Sequence, residues 1–149
     1  MIVVVIMGIL ASISVPYYLK TVENSKASDA AAIGHMLGNA NRMFLIDNPG
    51  GSVSGKVTNS CNSGSCGTDS TACRLVQCNY LAQQDWDNAS YNFFVCNPTS
   101  GAGGGCCASG LTACAVRNSG TYSGKWTFTF TNAGGCTATG SGVPSCPKF

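Results

Sequence analysis

The sequence predicts an α+β fold in which a long N-terminal helix packs on a small antiparallel sheet bordered by disulfide-rich loops. Residues 1–48 follow a helical spacing of apolar residues and are not interrupted by a turn signal. Residues 89–149 contain short segments in which apolar and polar residues alternate, as they do in half-buried strands. All ten cysteines lie downstream of the helix. A helix with one apolar stripe must bury it against another element, and the apolar face of a sheet provides that surface.

The first part of the helix is apolar on every face. Residues 1–15 contain no charge, and their only polar side chains are Ser12 and Ser14. Such a helix must lie in lipid or against other protein, because it has no face that suits water. We expect residues 1–18 to protrude as a hydrophobic half-helix that serves as membrane anchor or filament core. The candidate contact residues are Met1, Ile2, Val3, Val4, Val5, Ile6, Met7, Gly8, Ile9, Leu10, Ala11, Ile13, Val15 and Pro16.

The second part of the helix, residues 19–48, is amphipathic. It ends at the turn-forming run Asp-Asn-Pro-Gly-Gly of residues 47–51. The whole predicted helix, residues 1–48, spans about 70 Å, which is more than one small domain can cover. The stripe that we expect to be buried consists of Leu19, Val22, the methylene stem of Lys26, Ala30, Ile33, Leu37, Ala40 and Phe44.

Three residues mark special points of this helix. Pro16 lacks an N–H group and crowds the preceding turn, so we expect a kinked helix that continues through it. Gly34 and Gly38 permit a close approach, either by another helix or by the protein's own sheet.

The run MIVVVIMGILASISVPYYLKTVENSKASDA at residues 1–30 resembles the N-terminal helix of type IV pilins and of the related pseudopilins of type II secretion. The positions that match the family pattern are Gly8, Ile9, Leu10, Ala11 and Pro16. The resemblance covers about a fifth of the chain and implies the pilin fold. The expected globular head, residues 19–149, comprises the amphipathic half-helix 19–48, a cysteine-rich loop 49–88, and a sheet with a tail 89–149.

The resemblance also explains the length of the apolar run. A spanning helix needs about 20 apolar residues, and residues 1–15 fall short of that length. A secretory signal would carry a basic residue at its front, whereas the first basic residue here is Lys20. In the family, a prepilin peptidase cuts before an N-methylated phenylalanine, and the mature chain opens with a motif such as FTLIEL. We therefore expect a few more apolar residues, and the family's glutamate, to precede Met1.

The function implied by the resemblance is that of a structural subunit, the major pilin of a type IV pilus-like extracellular filament. The expected partners are other copies of the same chain in a helical filament, the inner membrane before assembly, and the prepilin peptidase with the pilus assembly machinery. Two alternatives remain open. In the first alternative, the chain is a major pseudopilin of a type II secretion system. In the second, it is a minor tip pilin that acts as an adhesin or binding module.

Composition limits the other possibilities. A chain of 149 residues has room for one globular domain and a protruding helix. Charged residues make up only 9% of the chain, and the formal net charge is +2, so no basic surface for nucleic acid is indicated.

The cysteines predict a disulfide framework formed outside the cytoplasm, where thiols can stay oxidised. Zinc is the alternative for two pairs with four intervening residues, Cys61 with Cys66 and Cys73 with Cys78. The pairing cannot be read from the sequence, except that the adjacent Cys106 and Cys107 are expected to take different partners. The motif for covalent haem is missing, and no cofactor or metal is expected. The ten cysteines are Cys61, Cys66, Cys73, Cys78, Cys96, Cys106, Cys107, Cys114, Cys136 and Cys146.

Six segments follow the long helix. Residues 52–71 are a polar loop, and residues 73–87 are a short helix that ends near Trp86. The next segment is a strand with Tyr91, Phe93 and Val95 on one face. Two more strands are expected at residues 112–116 and 125–131. Residues 136–139 add a short edge strand, which gives a sheet of three or four strands.

An enzyme is not expected. Residues 89–149 contain no Asp, Glu or His, so the sheet region offers no general base, and hydroxyl groups without a base are poorly activated nucleophiles. The same lack of carboxylates argues against the calcium site that major pseudopilins commonly hold in this region, because calcium prefers carboxylate ligands. This favours a surface pilus subunit over a secretion pseudopilin.

Overall fold

A computed structural model describes residues 2–147. Helix α1 runs over Ile2–Asp47 as one continuous α-helix with Pro16 inside it. A short helix α2, Cys73–Gln77, and a 3-10 helix, Asn59–Asn62, lie in the loop region that follows. Met1, which the sequence places in the anchor, lies outside the described residues. The structure has the predicted α+β fold with a pilin-like shape, in which a long helix packs on an antiparallel sheet.

The sheet has five antiparallel strands in the order of the chain. Each strand pairs with the next along the chain, so the sheet is a simple meander. The two short helices lie in the long connection between β1 and β2. The strands are β1 Gly55–Lys56, β2 Tyr91–Val95, β3 Leu111–Arg117, β4 Thr127–Thr131 and β5 Cys136–Thr139.

The alternating segments have the predicted orientation. Tyr91, Phe93 and Val95 are buried on β2, and Phe128 and Phe130 are buried on β4. Strand β1 is a correction, because the sequence predicts only loop at this position. Two residues, of which one is glycine, carry no alternation, so only their pairing with the end of β2 identifies them as a strand.

The second helix is also shorter than predicted. It ends at Gln77 instead of continuing towards Asp87. The reason is local, because Asn79 adopts a left-handed backbone conformation with φ of 62° that a helix cannot continue through. The chain then turns back, and both Leu81 and Trp86 reach the core from an irregular segment.

Packing on the sheet buries only part of the predicted stripe of α1. The buried face begins at Ala27, whereas Leu19 is 59% exposed. The longest strand, β3, has seven residues and reaches about 23 Å, which corresponds to roughly 15 residues of helix. The sheet is therefore too short to cover the start of the stripe.

Two glycines bring α1 close to the sheet. A Cβ atom at Gly34 would lie 2.1 Å from Cε2 of Phe130, and one at Gly38 would lie 3.0 Å from Oγ1 of Thr112. Of the two possibilities left open by the sequence, the structure supports a close approach by the protein's own sheet.

A buried amide holds the helix at the same level. Asn41 is fully buried, and its Nδ2 donates hydrogen bonds to the carbonyl oxygens of Cys96 at 2.9 Å and Thr112 at 2.8 Å. The side chain thus satisfies carbonyl groups of both β3 and the residue after β2.

Gly34→Ala should destabilise the head by about 1–3 kcal/mol, because the added methyl group overlaps the Phe130 ring and forces α1 away from the sheet. The measurement is urea unfolding of the whole chain in detergent, followed by near-ultraviolet circular dichroism. Gly8→Ala is the matched control, because a Cβ atom there meets nothing within 4 Å. Equal stability of the two variants would contradict the proposed close contact.

Candidate functional site

The first twenty described residues of α1 are uncovered by the rest of the chain. Every residue from 2 to 21 is exposed, and the large apolar side chains in this segment range from 51% exposed at Ile6 to 77% at Ile2. An 18-residue window of α1 has a mean hydropathy of 2.2 and none of its residues is buried. By length and composition this helix can cross a membrane, so the apolar half can serve as an anchor.

The end of the apolar segment carries residues suited to a membrane surface. Tyr17 is 76% exposed and Tyr18 is 67% exposed, and Lys20 follows them as the first charged residue. Tyrosine is enriched where hydrocarbon meets water, since its ring is apolar and its hydroxyl group is polar. These residues mark the end of the apolar segment of α1.

A charged pair fixes α1 to the head just beyond this point. The Arg117 side chain at the end of β3 is only 2% exposed, and its Nη2 lies 3.0 Å from Oε2 of Glu23 on α1. A second hydrogen bond runs from Nε of Arg117 to the same carboxylate oxygen at 3.2 Å. Arg117 also donates to Ser119 Oγ, and its guanidinium lies 5.4 Å from the centre of the Tyr91 ring. The pair joins residues 94 positions apart, so no local sequence pattern could reveal it.

The surroundings of Glu23 act on its ionisation in opposite directions. Burial alone would raise the pKa of the Glu23 carboxyl group, but hydrogen bonds and charges from Lys26 and Arg117 outweigh this effect. The pKa of Glu23 is therefore lowered from its ordinary value of 4.5. The pair is fully formed above this value, and its contribution is lost as the pH falls through the folded-state pKa.

The disulfides of the head are all short-range bridges. All ten cysteines are paired, each within 12 residues of its partner. The pairs are Cys61–Cys73, Cys66–Cys78, Cys96–Cys107, Cys106–Cys114 and Cys136–Cys146. The expectation of different partners for Cys106 and Cys107 is confirmed.

These disulfides exclude zinc at the four cysteines that have zinc-like spacing. The four cysteines with zinc-like spacing are all used in the first two disulfides. Cys96, Cys107 and Cys114 have sulfur atoms within 4.8 Å of one another, but this closeness arises because two disulfides lie side by side. A sulfur in a disulfide is not the thiolate that a metal requires.

The acidic residues before β2 have a structural role. Asp85 accepts hydrogen bonds from Nδ2 of Asn88 at 2.6 Å and from Nδ2 of Asn59 at 2.8 Å, and these bonds lower the pKa of the Asp85 carboxyl group. The Oδ1 atom of Asn59 accepts the backbone N–H of Trp86. The cluster thus holds the irregular segment that buries Trp86. No sequence pattern reveals it, because its members come from two segments that are far apart in the chain.

Searches with the chain found no matching family model, no matching curated protein and no matching solved structure.

Glu23→Gln should destabilise the head by about 3 kcal/mol, because it leaves the buried Arg117 charge without its counter-ion. Lys26→Gln is the control, since it removes only an exposed pair with the same carboxylate and should cost less than about 1 kcal/mol. Urea unfolding at several pH values measures both. The native chain should lose stability below about pH 4.5 in part through Glu23, and the Glu23→Gln variant should lack that component. Equal costs for the two variants would show that Arg117 does not depend on Glu23.

Proposed function

We propose that this chain is the repeating structural subunit, the major pilin, of a type IV pilus-like extracellular filament. The observation that carries the proposal is the apolar half-helix of residues 2–18, which is exposed on all sides and continuous with a folded head. An apolar surface of this length is unfavourable in water, so it must be covered by lipid or by other copies. The resemblance of residues 1–30 to pilin helices supports the same conclusion.

In this proposal the half-helix has two successive environments. Before assembly it lies in the inner membrane, where the tyrosines at its end sit at the surface and the head lies outside. During assembly the machinery moves the subunit from lipid to the filament, where half-helices of other copies replace lipid. Each square ångström of apolar surface kept from water contributes roughly 25 cal/mol in either environment, so the half-helix keeps its apolar burial throughout the transfer.

In this proposal the head supplies the outer surface of the filament. Its loops are polar and rich in glycine, and disulfides hold them beside the apolar side chains that they contribute to the core. A disulfide framework is suited to an exposed extracellular structure, where thiols stay oxidised. The sheet region supplies no Asp, Glu or His, so a structural role accounts for this composition better than catalysis does.

Electron microscopy of material sheared from the surface of the native cells should show thin fibres, and mass spectrometry should identify this chain as their main component. A filament subunit dominates such a preparation, whereas a tip adhesin is a trace component. Recovery of the chain only in the membrane fraction, with fibres made of another protein, would contradict the proposal.

Mild reduction should separate the two kinds of stabilisation in such fibres. Thiol treatment should increase protease cleavage between residues 60 and 146, because all five bridges lie there. Fibre length should stay unchanged, because residues 2–18 contain no cysteine and associate through apolar burial. Limited proteolysis and electron microscopy of the same sample give both readouts. Fibres that dissolve into subunits with intact heads would instead indicate disulfides between subunits.

A further inference from the structure

Two disulfides lie side by side between β2 and β3, where residues 96–110 connect the two strands. The Sγ atom of Cys114 lies 3.9 Å from Sγ of Cys96 and 3.9 Å from Sγ of Cys107, although those two atoms belong to the other bridge. In the part of the chain that the structure describes, no second group of three cysteines lies as close together. The Cys96–Cys107 and Cys106–Cys114 bridges thus form one four-cysteine cluster.

The four-cysteine cluster has a fixed half and a looser half. Cys114 lies within β3, and Cys96 is held by hydrogen bonds of its N–H group to β3 and of its carbonyl oxygen to the Asn41 side chain. Both of these cysteines are fully buried. Cys106 and Cys107 are only half-buried, and they follow three glycines that all have positive φ. Glycine adopts many backbone conformations at little cost, so this connection can reorient its two cysteines.

One half-buried sulfur is more enclosed than the other. The Sγ atom of Cys107 lies 3.6 Å from the carbonyl oxygen of Val95, and a Cβ atom at Gly103 would lie 2.6 Å from it. Cys106 is therefore the point at which a thiolate from outside can attack. Attack there breaks the Cys106–Cys114 bond and releases Cys114 as a thiolate. This new thiolate is buried, and it lies 3.9 Å from both sulfur atoms of the remaining bridge.

We propose that the four-cysteine cluster is a thiol–disulfide exchange site, which a small thiol enters at Cys106 and at which the two bridges exchange partners. In the first step, the thiolate of the small thiol bonds to Cys106 and Cys114 leaves as a thiolate. Next, Cys114 attacks Cys107, so that a Cys107–Cys114 bond forms and Cys96 leaves as a thiolate. Finally, Cys96 attacks Cys106 and expels the small thiolate. Two disulfides exist before and after, so nothing is oxidised or reduced overall.

The direction of the second step follows from the spacing of the cysteines. Attack by Cys114 on Cys96 would leave Cys106 and Cys107 to pair with each other. The Cα atoms of adjacent residues are about 3.8 Å apart, which is shorter than the usual separation across a disulfide. Attack on Cys107 leaves no adjacent pair. Cys114 lies beside the Cys96–Cys107 bond, equally far from both sulfurs, so its side chain must rotate to reach Cys107.

The exchange changes the shape of a surface loop without changing the number of bridges. Each anchor of the loop moves by one residue, which is about 3.8 Å along the chain. Most of residues 99–110 are exposed, so the shift alters a surface that faces solvent. A thiol outside the cell can therefore select between two shapes of the head. The inference concerns the single chain and does not depend on the proposed filament function.

Removal of one cysteine turns the exchange into a test on the full chain in detergent. Cys106→Ser leaves Cys114 as a free thiol. Free thiols are alkylated with one reagent, the bridges are reduced and alkylated with a second, and tandem mass spectrometry locates both labels. We expect at least about a tenth of the first label on Cys96 and the rest mainly on Cys114, because Cys114 displaces Cys96 from Cys107.

A second variant tests the same exchange from the opposite side. Cys96→Ser leaves Cys107 free, and its sulfur lies 3.9 Å from Cys114, so part of the first label should appear on Cys106. Near-ultraviolet circular dichroism should show a folded head in both variants. Label confined to Cys114 in the first variant, or to Cys107 in the second, would overturn the exchange.

The matched control removes one cysteine from a bridge outside the cluster. Cys66→Ser leaves Cys78 free near the Cys61–Cys73 bridge, and these sulfurs form no close group of three among the described residues. The first label should therefore stay on Cys78. Label spread onto Cys61 or Cys73 to the same extent would show that exchange does not require the four-cysteine cluster, and the assignment would be wrong.

The native chain tests the point of entry. Brief exposure to reduced glutathione, stopped with acid, should place mixed disulfides on Cys106 at least about tenfold more often than on Cys107, because the Cys107 sulfur is enclosed. Tandem mass spectrometry distinguishes the two positions. A majority of the adduct on Cys107 would overturn entry at Cys106.

Discussion

At Gly34 the backbone of α1 lies against the ring of Phe130, because no side chain separates the helix from β4. Gly38 has the same relation to Thr112 on β3, and Asn41 then bonds two carbonyl groups of the sheet region. These three residues lie at steps of four and three on one side of the helix. They fix both the distance and the rotation of α1, and so they decide which face of the helix remains outside the head.

The two halves of the molecule are stabilised by different means. The head has a buried core of aromatic and aliphatic side chains, and its loops are held by five short-range disulfides. The half-helix contains neither cysteine nor charge in residues 2–18. Its stability in any environment comes from the exclusion of water and from its own backbone hydrogen bonds. In a chain built in this way, the apolar surroundings of the half-helix can change while the fold of the head stays the same.

The Glu23–Arg117 pair lies at the boundary between these halves. Only Arg117 is deeply buried, and the ring of Tyr91 and the carbonyl oxygen of Ser90 complete its surroundings. The pair lies one turn before Ala27, the first buried residue of the helix. The pair therefore joins the helix to the head just before its packed segment begins. Because the chain contains few charged residues, few other ion pairs can join the helix to the head.

Local patterns in the sequence determined the long helix, its passage through Pro16, the apolar character of its first half, and the faces of β2 and β4. Each of these follows from the period of apolar residues, which depends only on backbone geometry. The tertiary structure decided where the helix first meets the sheet, how the cysteines pair, and that Gly34 receives Phe130. It also revealed β1, the early end of α2, and the partners of Arg117 and Asn41. The end of α2 is set locally by the backbone of Asn79, which no periodic pattern marks. The other features depend on tertiary contacts, and such contacts leave no periodic trace in a single sequence.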